Sequence, residues 1–373
     1  MTYEYPARGP RAAAVPVRGE LLRPRSDRRP TFMRGLAIGI DIGGTRVKAG
    51  VVDVYGQVVE RLDRATPTHS PEATEDAIAD IVGELRGRHH VRAVGIGAAG
   101  FIDENRSTVL FAPHLAWRRE PLRARLVERL RMRVVVENDA NAAAWAEYRF
   151  GAAQGEDSVV LVTLGTGIGG GIVTHGLLER GRHGVAGEFG HMTLVPEGRR
   201  CECGDRGCWE QYAGGSALAR SARELASSGT PLAGGLLDAV DGRADQLSGR
   251  VVSRCADEGD PAAEGLLRET GEWLGMGLAN LAAALDPGML VVGGGVSAAG
   301  ELLMEPARRT FAHSLTGRGY RPSPRIEVAA LGNDAGFIGA ADLARTAPRR
   351  SADAPARRRV QAARERRRAL RAR

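Results

Sequence analysis

The chain has 373 residues and four cysteines, enough length for about two domains and a substantial core but too few thiols for a disulfide-built scaffold. That cysteine usage fits a reducing, cytoplasmic setting, and the longest apolar candidate, Leu274 to Leu285, contains an asparagine and is too short to span a membrane. The formal net charge of +7 sits at the ends: residues 1–34 carry +5 and residues 345–373 carry +10, which leaves −8 for 35–344 and argues against a body built to bind nucleic acid.

Residues 1–34 form a basic tail with Pro6, Pro10, Pro16, Pro24 and Pro30 and little apolar content, so disorder is expected. The tail lacks the apolar core of a secretory signal, and a translation start at Met33 would remove it. Leu36 to Ile40 predicts a buried strand running into Asp41-Ile42-Gly43-Gly44-Thr45. The apolar run Val47 to Val52 follows at once, so the glycines turn a hairpin. A strand over 57–62, a helix over 72–87, a strand over 91–97 and a helix over 119–131 come next. Gly95-Ile96-Gly97-Ala98-Ala99-Gly100 closes the 91–97 strand with small residues, leaving room for a ligand against the backbone.

Val134-Val135-Val136 predicts a short buried strand that ends in Glu137-Asn138-Asp139-Ala140-Asn141, before an alanine-rich helix from Ala142 to about Phe150. Polar residues at the carboxyl end of a strand mark the edge where α/β folds place their sites. Asp139 has two readings: a helix cap, or a general base oriented by the amides of Asn138 and Asn141.

Val159 to Leu164 repeats the first device, ending in Gly165-Thr166-Gly167-Ile168-Gly169-Gly170-Gly171 about 120 residues after the first glycine turn. Each turn can present backbone N–H groups and a threonine hydroxyl to an anion. Two copies suggest a duplicated lobe with a polyphosphate held between them. Gly165, Gly167 and Gly170 also satisfy G-x-G-x-x-G, but a dinucleotide fold needs a helix there, and Ile172, Val173 and Thr174 favour a strand.

His191 precedes Cys201-Glu202-Cys203-Gly204-Asp205-Arg206-Gly207-Cys208, a spacing suited to a closed, structural zinc site, with Glu188 and Glu210 at its two ends. Unrelated buried thiols are the alternative. Cys255, with no partner nearby, reads as an inert core thiol. A helix over 209–227, a mobile glycine-rich connection over 228–250 and a long helix from about Pro261 to Leu285 follow. Leu290-Val291-Val292 then meets Gly293-Gly294-Gly295-Val296-Ser297, a strand–loop–helix junction where a purine could lie on bare backbone, with helical spacing from Ala299 to Ser314. Gly332-Asn333-Asp334-Ala335-Gly336 opens a small-residue helix ending near Ala344. Residues 345–373 read as a solvated basic tail, partly helical from Arg357, with weak contact to polyanions as the other reading.

Taken in order, Asp41 to Thr45, Glu137 to Asn141, Glu188-Phe189-Gly190-His191, the cysteine knot and Val292 to Gly295 resemble the ROK (repressor/ORF/kinase) family across about 35–344. Within it, Gly97 to Asp103 and Phe111-Ala112-Pro113 resemble the glucokinase branch of actinobacterial type. The resemblance implies two actin-like (ribonuclease-H-like) α/β lobes: a small lobe over 35–137, a large lobe with the zinc knot over 138–332, and a helix over 333–344 returning to the small lobe. It implies ATP, Mg2+ and structural Zn2+ as cofactors and glucose as the substrate phosphorylated at its C6 hydroxyl. Asp139 carries over as the base, and Gly100, Asn138, Glu188, His191 and Glu210 as further sugar-binding residues. Asp41, Gly43, Gly44, Thr45, Gly165, Thr166, Gly167, Gly294 and Gly295 carry over to the nucleotide and its metal, and His191, Cys201, Cys203 and Cys208 to zinc, with the second ring nitrogen of His191 directed at the sugar. Departures are Ala98-Ala99, where many relatives have proline before the glycine, and His114, where close relatives usually have asparagine. A homo-oligomer (dimer or tetramer) is expected, with no membrane and no specific nucleic-acid partner. The rival readings are a kinase for another hexose or N-acetylhexosamine, polyphosphate as donor, and a sugar-responsive repressor. The last needs a helix-turn-helix module that 34 proline-rich residues do not provide.

Overall fold

A computed structural model describes residues 35–113 and 115–347; the expectations for the two tails beyond these limits and for His114 lie outside the described residues. Strand β1 (Leu36–Ile42) turns through the glycines into β2 (Arg46–Val52), pairing antiparallel from Ala37–Val52 to Ile42–Val47, and β3 (Val58–Ala65) continues the meander. Helix α1 (Pro71–Arg88) begins where sequence chemistry favours it: Ser70 caps the Ala73 N–H, and Pro71 occupies a position that has no helical N–H to lose. It returns the chain to β4 (Val91–Ala98), which lies parallel to β1. A small ribbon of β5 (Phe101–Ile102), β6 (Val109–Phe111) and β7 (Arg118–Glu120) intervenes, followed by α2 (Leu122–Leu130). Strand β8 (Arg133–Asn138) then pairs with β4, completing a sheet in the order β3-β2-β1-β4-β8.

After α3 (Asp139–Phe150), the chain builds a second sheet from β9 (Ser158–Leu164), β10 (Ile168–Thr174) and β11 (Leu177–Glu179). Next come the cysteine-bearing loop and five helices: α4 (Glu210–Ala213), α5 (Gly215–Ser227), α6 (Gly234–Asp238), α7 (Gly249–Asp257) and α8 (Pro261–Leu285). Strand β12 (Met289–Gly293), α9 (Glu301–Ser314), β13 (Arg325–Val328) and α10 (Ala335–Thr346) finish the fold. The order β11-β10-β9-β12-β13 repeats the first sheet strand for strand, in agreement with the duplicated hairpins. Because β10 is a strand, the G-x-G-x-x-G match is not a dinucleotide fingerprint.

The two halves exchange helices. Helix α3 leaves the first sheet and packs on β9 and β10, whereas α10 packs on β1, β2 and β4, and the two helices pack on each other. Absent side chains make these contacts possible. A Cβ at Gly39 would overlap the Phe337 carbonyl, one at Gly95 the Ala340 carbonyl, and one at Gly339 the Ala142 carbonyl. Alanines of α3, Phe337 and Ile338 of α10, and Val159, Leu161 and Val291 of the second sheet fill the space between the sheets.

Several expectations change. The segment 119–131 is not one helix: Glu120 precedes Pro121, a position that disfavours helix, so Arg118–Glu120 pairs with β6 and the helix starts at Leu122. The 209–227 helix is broken at Gly214, whose backbone is extended. The 228–250 connection is ordered by its own apolar residues, since Ala233, Leu236 and Leu247 are fully buried in the core of the second half. Cys255 lies in that core, as expected. The last helix runs past Ala344; Arg345 is buried, paired with Asp342 and donating to the Asp53 carbonyl at 2.7 Å, so it belongs to the fold and not to the basic tail. Among the described residues no helix is long and apolar enough to cross a membrane. Gly95→Ala is expected to lower the urea midpoint by an amount equivalent to about 1–3 kcal/mol, the usual penalty of an overpacked contact.

Candidate active site

Helix α3 begins at the end of β8, and the local sequence fixes how. The Asn138 side chain accepts from the Asn141 N–H at 2.9 Å, so Asn138 is the helix cap and Asp139 the first helical residue. The cap reading of Asp139 is thereby replaced, and its carboxylate is free for other work. The other end of the Asn138 side chain donates to the Gly100 carbonyl at 3.1 Å, which ties the helix start to the loop after β4. Glu137 is buried, receives the Asn141 amide at 3.3 Å and an Arg180 N–H at 2.7 Å, and so braces the same corner. Gly100, at a φ of +156° and with no room for a Cβ beside the Phe111 carbonyl, admits only glycine without rearrangement.

Asp139 lines a cavity of about 230 Å3 between the sheets, together with Asp41, Lys48, Glu147, Thr163, Gly165, the Gly293–Gly295 run, Gly332, Asn333 and Gly336. The structure therefore gathers Asp41, Asp139, Gly165, Gly294 and Gly295 in one cleft. Gly43, Gly44, Thr45, Thr166 and Gly167 lie outside its lining. The Gly43 N–H donates to the Arg46 carbonyl and the Gly165 N–H to the Gly167 carbonyl, both at 3.0 Å, so each turn spends its first N–H on closing itself. Sequence reasoning missed Lys48, Glu147, Thr163 and Asn333. For Lys48 a signal existed, because it is the chain's sole lysine and stands opposite Asp41 across the first hairpin. Glu147 gave none, since its partners, the N–H groups of Ala152, Ala330 and Leu331 at 2.8–3.0 Å, come together only in the fold.

Acids dominate this region. Asp139 is partly exposed as a residue, yet its carboxyl group lies deep among protein atoms, and burial raises its pKa against the lowering effect of its own and the Ala140 N–H groups. Burial, with Asp139 nearby, lifts Asp41 to about 7, and Lys48 pulls the other way. Glu188 is also raised to about 7, first by burial and then by Asp139 and Glu210. Asp41, Asp139, Glu188 and Glu210 thus form a chain of mutually repelling carboxyls, suited to holding a cation and accepting protons.

On the far side of Asp139, His191, Cys201, Cys203 and Cys208 place one ligand atom each within 4.8 Å of all the others. The Cys201 Sγ–His191 Nδ1 and Cys203 Sγ–Cys208 Sγ distances are both 3.6 Å, where tetrahedral zinc needs roughly 3.5–3.8 Å between ligands. The donor set therefore suits zinc, with the wider pairs, all within 4.8 Å, drawing in around the ion, and Nδ1 is the ring nitrogen on the cysteine side. Burial raises the Cys201 and Cys208 thiols here, and Cys201 donates to Glu210 at 3.1 Å. Glu210 connects the knot to the second glycine turn, because its carboxylate fills the space where a Cβ of Gly167 would stand. Trp209 anchors the knot: fully buried, it donates to the Trp273 carbonyl at 2.9 Å and lies against Gly277 of α8.

Two sheets of one topology, exchanged helices and a glycine-lined cleft between them define the actin-like, two-lobed ATPase fold. The chain belongs to the ROK family, whose model matches residues 37–347. It is 50% identical over 311 residues to a glucokinase of Streptomyces coelicolor, covering 83% of this chain and 98% of that protein. A glucokinase of Halalkalibacterium halodurans is 36% identical over 310 residues, covering 81% of this chain and 92% of that one. Among solved structures, a ROK family glucokinase from Streptomyces griseus in complex with glucose and AMPPNP is 51% identical. It superposes with a TM-score of 0.79, covering 84% of this chain and all of that one.

Burial holds the proton on Asp139 more tightly in the folded chain than in the unfolded chain. Stability therefore falls as pH rises from the unfolded value of about 3.9 through the raised native one. Asp139→Asn is expected to raise the melting temperature by a few degrees at alkaline pH and by less at acid pH, read by calorimetry at both.

Proposed function

We propose that the protein transfers the γ-phosphoryl group of ATP to the C6 hydroxyl of glucose, giving glucose 6-phosphate and ADP. The observation that carries this reading is the position of Asp139, which lines the glycine cleft on one side and interacts with Glu188 on the other. The glucokinases it resembles, one of them holding glucose and a nucleotide analogue, support glucose over other sugars.

The chemistry follows from the groups present. Asp139, ionised, accepts the proton of the sugar hydroxyl as its oxygen bonds to the γ-phosphorus and the bond from phosphorus to the β–γ bridging oxygen breaks. Capping by Asn138 and bracing by Glu137 fix that carboxylate without consuming it. Glu188, His191 and Glu210 form the sugar side, and the Nδ1 contact of His191 with Cys201 leaves Nε2 for a sugar hydroxyl. Asn138 retains one amide hydrogen for the sugar after its bond to Gly100. On the nucleotide side, Gly293–Gly295 and Gly332 offer a flat backbone wall, and the two glycine turns, whose residues Gly44, Thr45, Thr166 and Gly167 lie outside the cavity lining, would have to close inward for their amides to reach the phosphates. Magnesium bound with ATP neutralises phosphate charge, and Asp41 is the acid that would hold it, directly or through water. Zinc held by His191, Cys201, Cys203 and Cys208 would fix the orientation of His191 and the position of Glu210.

Asp139→Ala is expected to lower kcat by a factor of about 100 or more with the fold intact; near-normal turnover in a folded variant would remove Asp139 from this role. Because the base must be ionised and burial raises its pKa, kcat/KM should fall on acidification with a midpoint above the ordinary aspartate range, and an acid limb within or below that range would contradict it. Metal analysis is expected to find one zinc per chain, and prolonged chelation should raise the KM for glucose more than that for ATP. An unchanged glucose KM in metal-free protein would sever the knot from the sugar site.

A further inference from the structure

The residues assigned to the sugar side come from both halves of the molecule: Gly100 and Asn138 from the first, Glu188, His191 and Glu210 from the second. The contact of α3 with α10 holds the halves together between the sheets. At the outer edge the tie is different. Strand β8, which ends in Glu137 and Asn138, is the outermost strand of the first sheet, and β11, which ends one residue before Arg180, is the outermost strand of the second. Arg180 joins these two edges: its Nε and Nη2 each lie 2.7 Å from Glu137 Oε2.

Glu137 is buried and Arg180 half-buried, and each has further bonds that fix its own side. Glu137 Oε1 accepts from the Asn138 N–H at 3.2 Å and from the Asn141 amide at 3.3 Å, so it grips α3 on both sides of Asp139. Asn141 Oδ1 is buried with no donor among the described residues, so Glu137 decides how that amide is turned. On the other side, Arg180 Nη1 donates to the Leu178 carbonyl at 3.1 Å, and the Arg180 carbonyl accepts from the Ala186 N–H at 3.1 Å, closing the loop that leads to Glu188. Gly184 of this loop, at a φ of +86°, has the Ile102 carbonyl where a Cβ would stand, so the loop lies on the β5–β6 ribbon. A Cβ at Gly187 would strike the Gly170 carbonyl, which fastens Glu188 to the second sheet. Arg106, in the turn of the ribbon, is close to both partners: burial first, then Arg180, lowers its pKa, while Glu137 raises it. Arg106 belongs to the first half, so it can compensate the Glu137 charge but cannot tie β11 to β8. Buried ion pairs add little net stability, which leaves the geometry imposed by Arg180 as its contribution.

We propose that Arg180 is a positioning residue of the sugar site, holding through Glu137 the second half's Glu188 at a fixed separation from Asn138 and Asp139. The inference rests on the kinase reading above and assigns the tie that closes the sugar side. Arg180 takes neither proton nor phosphoryl group; the proton still passes from the sugar to Asp139.

ADP release by the unaltered protein with glucose comes first; no turnover there sinks the kinase reading and this one with it. Given turnover, Arg180→Met should raise the KM for glucose about tenfold, the scale of a lost bond between charged groups, and leave the KM for ATP within about twofold. Glu137→Gln should shift the glucose KM in the same direction. The double variant separates positioning from stability and from direct contact with the sugar. With both charges gone, its melting temperature should return toward that of the parent. Its glucose KM should stay within about twofold of that of Arg180→Met, as for two residues that act as one unit. A folded Arg180→Met with an unchanged glucose KM overturns the proposal, and so does an equal loss for glucose and ATP. A double variant whose glucose KM recovers along with its melting temperature makes the pair merely structural. One in which the two losses multiply makes Arg180 a ligand independent of Glu137. Either result overturns the proposal, and should Arg180→Met fail to fold, the double variant decides by the same glucose and ATP comparison.

Discussion

Helix α10 lies so close to β1, β4 and α3 that no room is left for a Cβ at Gly39, Gly95 or Gly339. That contact governs the rest of the molecule. Each helix originates in one half and packs on the sheet of the other, so the halves cannot take up an arbitrary relation. Both helices also begin at the cleft, α3 with Asp139 and α10 with Ala335 and Gly336, and both direct amino-terminal dipoles into it. Backbone packed this closely is hard to deform. It can therefore hold the Asp139 carboxylate at the start of α3 in a fixed position.

The cost of the arrangement is electrostatic. Asp41, Asp139, Glu188 and Glu210 repel one another in a partly desolvated space, and two of them are lifted to about 7. A protein selected for stability alone would not bury such a set. A proton, a metal ion or a hydroxyl donor would relieve that repulsion, so groups that repel one another favour such partners. Glu147 shows the contrast, because three backbone N–H groups satisfy its carboxylate and it serves as scaffold.

The cysteine knot joins these two themes. Trp209 fixes it to α8, and Glu210, the next residue, reaches from it to the second glycine turn. One short segment thus sets the distance between the histidine and acid side of the site and the glycine side. A metal there would act through geometry, since His191 and the three cysteines leave no open coordination position.

Sequence by itself determined much of this protein. The twin glycine hairpins, the Asn138-Asp139 corner and the His191–Cys208 spacing are local chemistry, written in contiguous residues whose backbone demands and ligand geometry hold in any tertiary context. The strand that disposes of the dinucleotide motif was readable from β-branched residues for the same reason. What only the tertiary structure decided are relations between distant segments. Leu236 and Leu247 order a stretch whose glycines suggested mobility, because a core exists for them to enter. Arg345 leaves the basic tail because Asp342 and the Asp53 carbonyl receive it. Glu147 and Lys48 become part of the cleft because β1, β2, α3 and the start of α10 converge there. Composition and spacing carry no record of such convergence, since it arises from packing distances that pattern alone does not encode.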